Sequence, residues 1–387
     1  MSAKKIYLDY SATTPLRPQA RLAMAPFQEE AYGNPSSVHS LGRDARMAIE
    51  DSRRRLLSSL GAAGGRMVFT GSGSEADNLA ILGFARRNPD GCIIRSSIEH
   101  KAVIAATRAL ELANYDIRVV PVDGRGVVEL DALDKLMPGD GRATLISVMW
   151  ANNETGVIQP VQGIGEFCQA RGAFFFTDAV QAFGKVPVVV QGLGVDLVAL
   201  SAHKIGGPKG TGALYIGDRI DLEPLMYGGG QEDGLRPGTE NVAGIVGFSA
   251  AAESALEELD SEAARLRSLR DRLGSGLTCA LPEAIINGAQ APERLPNVLS
   301  ISLSGVDIEG LLTSLDLEGV YVSSGSACTT GSVASSHVME AMGLAGDYAA
   351  NTIRFSMGWG TGPEDVEYVL ETLPRVVARV RDFTVRP

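Results

Sequence analysis

From Gly65 to about Leu214 the chain alternates short apolar runs with stretches of helical periodicity, and no other feature narrows its fold as far. The runs are Met67–Thr70, Cys92–Arg95, Ile117–Val122, Thr144–Met149, Ala173–Thr177 and Asp196–Ser201. Near-continuous apolar runs of this length read as strands covered on both faces, and the β-then-α rhythm joins them through crossover helices. The expectation is an α/β fold whose large domain has a mostly parallel sheet covered by helices. In such a sheet, ligands collect at the carboxyl ends of the strands.

The flanks read differently. Ala45, Ile49, Ser52, Leu56 and Leu60 keep helical spacing ahead of the alternating region, with Ser36 and Ser37 as candidate caps. After it, Leu256, Leu259, Ala263, Leu266, Leu269 and Leu273 trace a long helix. Val298–Leu303, Val320–Ser323 and Asn351–Met357 are strand candidates. A last helix opens at Thr361, with Pro363 in its first turn, Glu364 completing a capping box, and Pro374 expected to kink it. The region beyond about residue 256 therefore reads as a smaller α+β domain. With 387 residues, two or three domains are expected, and no repeat or low-complexity linker separates them.

Charge excludes some functions. Lys plus Arg less Asp plus Glu is 35 − 46 = −11, the wrong sign for a nucleic-acid footprint. Arg53, Arg54 and Arg55 form one short basic run, read as a solvated helix face. The four cysteines, Cys92, Cys168, Cys279 and Cys328, have no CxxC spacing, so neither a disulfide framework nor a zinc site is expected. That usage suits a reducing, cytoplasmic compartment. The start of the chain has no apolar signal core and no run reaches membrane-spanning length, so neither secretion nor a membrane is expected.

Three constellations follow strands. Gly71-Ser72-Gly73-Ser74-Glu75 stands between a strand and a helix, either a phosphate cradle of free N–H groups and hydroxyls or a turn with a serine cap. Asp178 ends the run Ala173–Thr177, either a ligand-facing carboxylate or a helix cap. Lys204, in Ser201-Ala202-His203-Lys204, is either a Schiff-base amine or a solvated loop lysine. Taken together, a phosphate cradle, a carboxylate and a lysine are the parts that pyridoxal 5'-phosphate requires. Two further residues stand out. Cys328 sits among small polar residues from Ser323 to Ser332 that cannot bury it, which suits a nucleophile, whereas the other three cysteines read as packed in or beside apolar elements. His100 is either a ring that stacks on a cofactor and shuttles protons or a helix-start histidine facing solvent.

The segments YLDYSATTP, GNPSSVHSLGR, FTGSGSEADNLAI, EHKAV, VMWANNETGVIQP, TDAVQAFGKVP, SAHKIGGPKGTGALY, RPGTEN, SSGSACTTGS and IRFSMG occur in order along essentially the whole chain. Together they resemble the NifS/IscS-type cysteine desulfurases, fold-type I pyridoxal-phosphate enzymes of class V. The resemblance implies a homodimer that converts L-cysteine to L-alanine and loads sulfur on Cys328 as a persulfide, for delivery to an acceptor such as an iron–sulfur scaffold protein. The alternatives on the same fold are a selenocysteine lyase or another class V enzyme.

By motif, the resemblance makes Lys204 the Schiff-base lysine, Asp178 the partner of the pyridine nitrogen and His100 the stacking ring. Asn153 and Gln181 bond the phenolic oxygen. Gly73, Ser74, Ser201 and His203 hold the phosphate with Thr239 of the other subunit, and Arg354 and Asn34 take the substrate carboxylate. It also divides the chain into a large domain, residues 15–256, and a small domain of residues 1–14 and 257–387 carrying the cysteine loop 323–332. Ala202, Phe176, Asp233 and Trp359 depart from the usual pattern of the family without removing a catalytic group.

Overall fold

The computed structural model describes residues 5–325 and 335–384, with side chains as far as Asp382. The chain enters through a two-residue strand, β1 (Ile6–Tyr7), and two helices, α1 (Pro18–Glu29) and α2 (Ser40–Ser59). The expected alternation follows: β2 (Arg66–Thr70), α3 (Gly73–Arg87), β3 (Cys92–Ser96), α4 (Lys101–Leu112), β4 (Asp116–Val120), α5 (Leu130–Leu136), β5 (Thr144–Ser147), α6 (Val161–Arg171), β6 (Phe174–Asp178), β7 (Leu197–Ser201) and β8 (Gly212–Ile216). These strands form one sheet in the order β2-β8-β7-β6-β5-β3-β4. Only β8 runs antiparallel to its neighbours.

The apolar runs are continuous because both faces of this sheet are covered. Along β7, Leu197 and Ala199 pack into one layer with Phe84 and Ile81 of α3. Val198 and Leu200 point to the other layer, with Phe175, Ile245 and Phe248. The period of two along the strand thus feeds two cores at once.

Beyond the sheet lie α7 (Val242–Glu257), α8 (Leu259–Ala280), β9 (Ile285–Ile286), β10 (Val298–Ser302), α9 (Ile308–Leu317), β11 (Val320–Tyr321), β12 (Ser323–Ser324), α10 (His337–Ala341), α11 (Asp347–Ala350), β13 (Thr352–Ser356) and α12 (Pro363–Thr384). A four-stranded sheet, β12-β13-β10-β9, is antiparallel, and β1 pairs in parallel with β11. Ile6 and Leu8 are buried with Leu273, Leu299, Phe355 and Val377 in a third apolar cluster.

Several expectations need correcting. The helix read from Leu256 is two helices that meet at Glu258. Val320–Ser323 is not one strand: β11 pairs with β1, while β12 pairs with β13. At the start of α12 the capping acceptor is Asp365 Oδ2, which takes the Gly362 N–H at 2.9 Å, and the helix runs on through Pro374. Of the basic run, Arg54 and Arg55 are exposed, but Arg53 turns inward and forms a two-pronged pair with the buried Glu232 at 2.8 and 2.9 Å. Cys92 and Cys168 are buried as expected, whereas Cys279 is exposed near the end of α8.

One contact tests the packing behind the sheet. Gly165 of α6 lies so close to the loop before β7 that a Cβ there would stand 1.6 Å from the Leu193 carbonyl oxygen. Backbone cannot yield as a flexible side chain does. Gly165→Ala is expected to destabilise the fold by at least the ~1–3 kcal/mol of an overpacked core. The check is the melting temperature at fixed cofactor loading, which must fall; an unchanged value refutes the packing assignment.

Candidate active site

β2, β3, β5, β6 and β7 point the same way, so the segments that leave their carboxyl ends meet at one edge of the sheet. Those segments close a cavity of about 120 Å³. Gly73, Ser74, His100, Asn153, Asp178, Gln181, Ser201, His203 and Lys204 all line it. Larger clefts of about 540 and 1100 Å³ lie elsewhere, but neither is lined by a lysine. Chemistry, not size, picks the site.

The serine reading and the cradle reading of Gly71–Glu75 are both realised. Ser72 caps α3, its Oγ accepting the Glu75 N–H at 3.1 Å. The first-turn N–H groups of Gly73 and Ser74 have no acceptor within the helix and open on the cavity. Ser201 Oγ, across from them, is buried without a hydrogen-bond partner. A Cβ on Gly73 would come within 2.9 Å of Val180 Cγ2 and 3.3 Å of Ser201 Cβ, so glycine keeps this cradle open. A helix start, two backbone donors and an orphaned hydroxyl suit a phosphate.

Asp178 also combines both readings. Its Oδ1 accepts the Val180 N–H at 2.9 Å, as a cap would, while the side chain lines the cavity. Burial pushes its pKa up, against His100, the Val180 N–H and Lys204. A buried carboxylate with this little support favours a cation beside it.

Lys204 is not a solvated loop lysine. Its Nζ donates to the carbonyls of Ser11 at 2.6 Å and Ala12 at 2.8 Å. Gln181 Nε2 donates to the same Ser11 carbonyl at 2.9 Å, and Lys185 Nζ donates to Gln181 Oε1 at 2.9 Å. Burial, with Lys204 and Arg354 nearby, lowers the Lys185 pKa to about 7. His203 meets Thr13 Oγ1 through Nδ1 at 3.1 Å, and burial followed by the charges of Lys204, Lys209 and Lys185 lowers its pKa to about 4. His203 is therefore neutral across the physiological range.

His100 caps α4: its Nδ1 accepts the Ala102 N–H at 3.2 Å. Burial lowers its pKa, with Asp178 opposing and Lys204 and Lys101 assisting. The neutral ring therefore carries its proton on Nε2.

Other expected residues lie outside this cavity. Arg354, on β13, is buried and donates to the Asn153 carbonyl and to Asp9 Oδ1, both at 2.9 Å, while its buried Nε has no partner among the described residues. Asn34 and Thr239 are exposed and do not line the cavity of their own chain. Cys328 lies outside the described residues. Trp359 packs under the Arg17 guanidinium, 4.6 Å from the ring centre, and against Tyr10.

Four buried groups near the site were not singled out from sequence. Asp77 lines the cavity, 1 % exposed, and burial raises its pKa strongly, followed by Asp178 and Glu99. Glu99 is raised to about 8 by burial although it accepts from Ser96 Oγ and the Met149 N–H. Lys185 and Glu154 complete the set. Helical spacing could have found two of them: Asp77 is one turn beyond Ser74, and Lys185 is four residues beyond Gln181.

The Aminotransferase class-V family matches residues 6–369. The cysteine desulfurase IscS of Dictyoglomus turgidum is 44% identical over 383 residues, covering 98% of this chain and 96% of its own. A solved NifS-like protein shares 36% identity with a TM-score of 0.90, over 97% of this chain and 100% of its own. SspA, solved in complex with cysteine, shares 32% identity with a TM-score of 0.79, over 91% and 99% of the two chains. With this fold, this pocket and these relatives, the chain belongs to the class-V aminotransferase family and to its pyridoxal-phosphate-dependent cysteine desulfurase group.

Proposed function

We propose that the protein is a cysteine desulfurase that converts L-cysteine to L-alanine and loads the sulfur on Cys328 as a persulfide for an acceptor protein. The observation that carries this reading is the convergence of Lys204, Asp178 and the α3 cradle on one cavity. The cysteine-bound relative and the IscS relatives support the choice of substrate and product. An iron–sulfur scaffold fits as acceptor because the relatives carry the IscS name.

The residues fit pyridoxal 5'-phosphate group by group. Gly73, Ser74, Ser201 and His203 take the phosphate, Asp178 the pyridine nitrogen, Asn153 and Gln181 the phenolic oxygen, and Lys204 Nζ the aldehyde. When bound, the cofactor withdraws electrons from the substrate's α-carbon. Asp178 keeps the proton on the ring nitrogen, and the cation so made offsets the burial that raises this carboxyl. Arg354, held in place by the Asn153 carbonyl and Asp9, takes the substrate carboxylate. Asn34 assists it. Lys204 Nζ would take the α-proton of the bound substrate. His100, neutral with Nε2–H, would stand beside the cofactor ring and relay protons. The Cys328 thiolate would attack the substrate sulfur: the S–S bond of the persulfide forms as the carbon–sulfur bond breaks, and the electron pair stays on the β-carbon, which takes up a proton to become the methyl group of alanine.

Asn34 and Thr239, which lie outside their own chain's cavity, support a homodimer in which Thr239 reaches the partner's phosphate. The exposed apolar side chains Tyr32, Val38 and Tyr227 near them in sequence, 73%, 88% and 82% exposed, support a covered face. The third apolar cluster, which gathers Ile6 and Leu8 with residues from 266 to 380, supports a small domain of 1–14 and 257–387 beside a large domain of 15–256. The unbridged, buried Cys92 and Cys168 suit a cytoplasmic location. No helix among the described residues is long and apolar enough to cross a membrane.

Three outcomes test the reading. Lys204→Ala is expected to lose covalent trapping of the cofactor by borohydride and all alanine production; wild-type turnover in this variant overturns the cofactor assignment. Cys328→Ala is expected to retain cofactor and melting temperature yet release no sulfide, while wild type treated with cysteine gains one sulfur on the peptide carrying Cys328. Sulfur on another cysteine refutes that role. Thr239→Ala is expected to weaken cofactor binding by the ~1–3 kcal/mol of a hydrogen bond to a charged group. An unchanged dissociation constant contradicts the shared site.

A further inference from the structure

Glu154 is a charged residue that the chemistry above does not use, and it is 3% exposed. It sits in a turn that Asn152 makes rigid: Asn152 Oδ1 accepts the Glu154 N–H, the Thr155 N–H and Thr155 Oγ1, at 2.9, 2.9 and 3.1 Å. Asn152 Nδ2 in turn donates to the Ile98 carbonyl at 3.1 Å. The residue between them, Asn153, lines the cavity and gives its carbonyl to Arg354. One turn therefore carries a cavity residue, the support of the substrate arginine and Glu154.

The Glu154 carboxylate lies beside one described end of the segment that bears Cys328 and bonds the other. At the near end, the Gly325 N–H bonds the Thr352 carbonyl at 3.3 Å, and a Cβ on Gly325 would come within 2.6 Å of Glu154 Oε2. Gly325 has no positive φ, so the carboxylate's closeness, and not backbone conformation, favours glycine there. At the far end, Ser336 Oγ donates to the same Oε2 and accepts the Val338 and Met339 N–H groups that open α10. The next residue, His337, bonds the Glu99 carbonyl through Nε2 at 3.1 Å, beside His100.

We propose that Glu154 is a positioning residue for the sulfur acceptor: it ties Ser336, at one described end of the segment that bears Cys328, to the turn that supports Arg354, and so governs how fast Cys328 is loaded. The inference rests on the functional reading above. Its physical sense is that a buried carboxyl is an expensive way to fill space, since an apolar side chain of similar size would be neutral or better for stability. Misplacement of a reacting group by about 1 Å costs up to about a hundredfold in rate.

Burial raises the Glu154 pKa to about 7, opposed by the Ser336 hydroxyl, Arg354 and Lys101. Arg354 on β13 and Lys101 on α4 are thus the charged groups that act on it, and Ser336 ahead of α10 is its hydrogen-bond donor. Above about pH 7 the carboxylate is charged and holds Ser336 most strongly; below it, protonation weakens the tie. Gln at this position has no such titration.

The experiment compares wild type, Glu154→Gln, Glu154→Ala and Ser336→Ala as holoenzymes given L-cysteine. Sulfur on Cys328 is read by mass spectrometry in a single turnover, beside KM, the bound-cofactor spectrum and the melting temperature. The expected result is about a tenfold or greater loss of loading rate in Glu154→Ala and Ser336→Ala, with KM and spectrum unchanged. The ratio of wild-type to Glu154→Gln rates is expected to rise through about pH 7, a comparison in which the titration of Cys328 itself cancels. If Glu154→Ala does not fold, the Gln and Ser336 variants decide. Loading unchanged per bound cofactor, or losses only in melting temperature and cofactor retention, overturn the proposal while leaving the desulfurase reading intact. Wild type that gains no sulfur on Cys328 overturns that reading first.

Discussion

Parallel direction is the constraint on which the site depends. Because β2, β3, β5, β6 and β7 run the same way, their carboxyl ends open together, and every segment that leaves them arrives at one edge. β8 makes this possible for β2. Antiparallel to both β2 and β7, it restores β2 to the common direction and brings the α3 cradle beside Ser201. A Cβ on Gly212 of β8 would fall 2.4 Å from the Ser72 carbonyl carbon, so the cradle leans directly on that strand. The chemistry of the pocket is a consequence of strand order before it is a consequence of any single side chain.

That edge concentrates charge. Asp77, Glu99 and Asp178 are all buried, and burial is the largest influence raising each of them. With Glu99 raised to about 8, protonation relieves it at neutral pH. Its contribution favours the fold at low pH and is lost as pH rises through about 8. Asp77 is raised for the same reason and by its two carboxylate neighbours. Asp178 is raised by burial as well, opposed by His100, the Val180 N–H and Lys204.

Much of this was legible in the sequence, and the physics of burial explains where legibility ended. Strand ends announce themselves, since an apolar run followed by Gly-Ser-Gly-Ser, by Asp178 or by Ser-Ala-His-Lys marks both the element and its exit. Glu99 and Glu154 look in sequence like ordinary surface polar residues, because nothing local says that the surrounding elements will enclose them, whereas Asp77 and Lys185 carry only their spacing from Ser74 and Gln181 as a signal. Arg53 failed in the same way: its partner Glu232 lies 179 positions away. Cys279 failed in reverse, for its apolar neighbours Leu277 and Leu281 are buried while the helix turns the cysteine itself outward. Asn34 and Thr239 are exposed, and neither lines the cavity of its own chain.

The small sheet has a function beyond closing a second core. β13 pairs with β12 so that Ser323 lies opposite Arg354 and Ser324 opposite Ile353. Arg354 and the strand that precedes the cysteine-bearing segment are therefore on one ladder. A shift of one residue in that pairing would turn Arg354 to the opposite face, where Ile353 and Phe355 now pack against Leu299 and Leu273. The apolar side of β13 thus forbids the slip. Burial of Ile353 and Phe355 is what keeps the Arg354 guanidinium and the strand Ser323–Ser324 in register with each other.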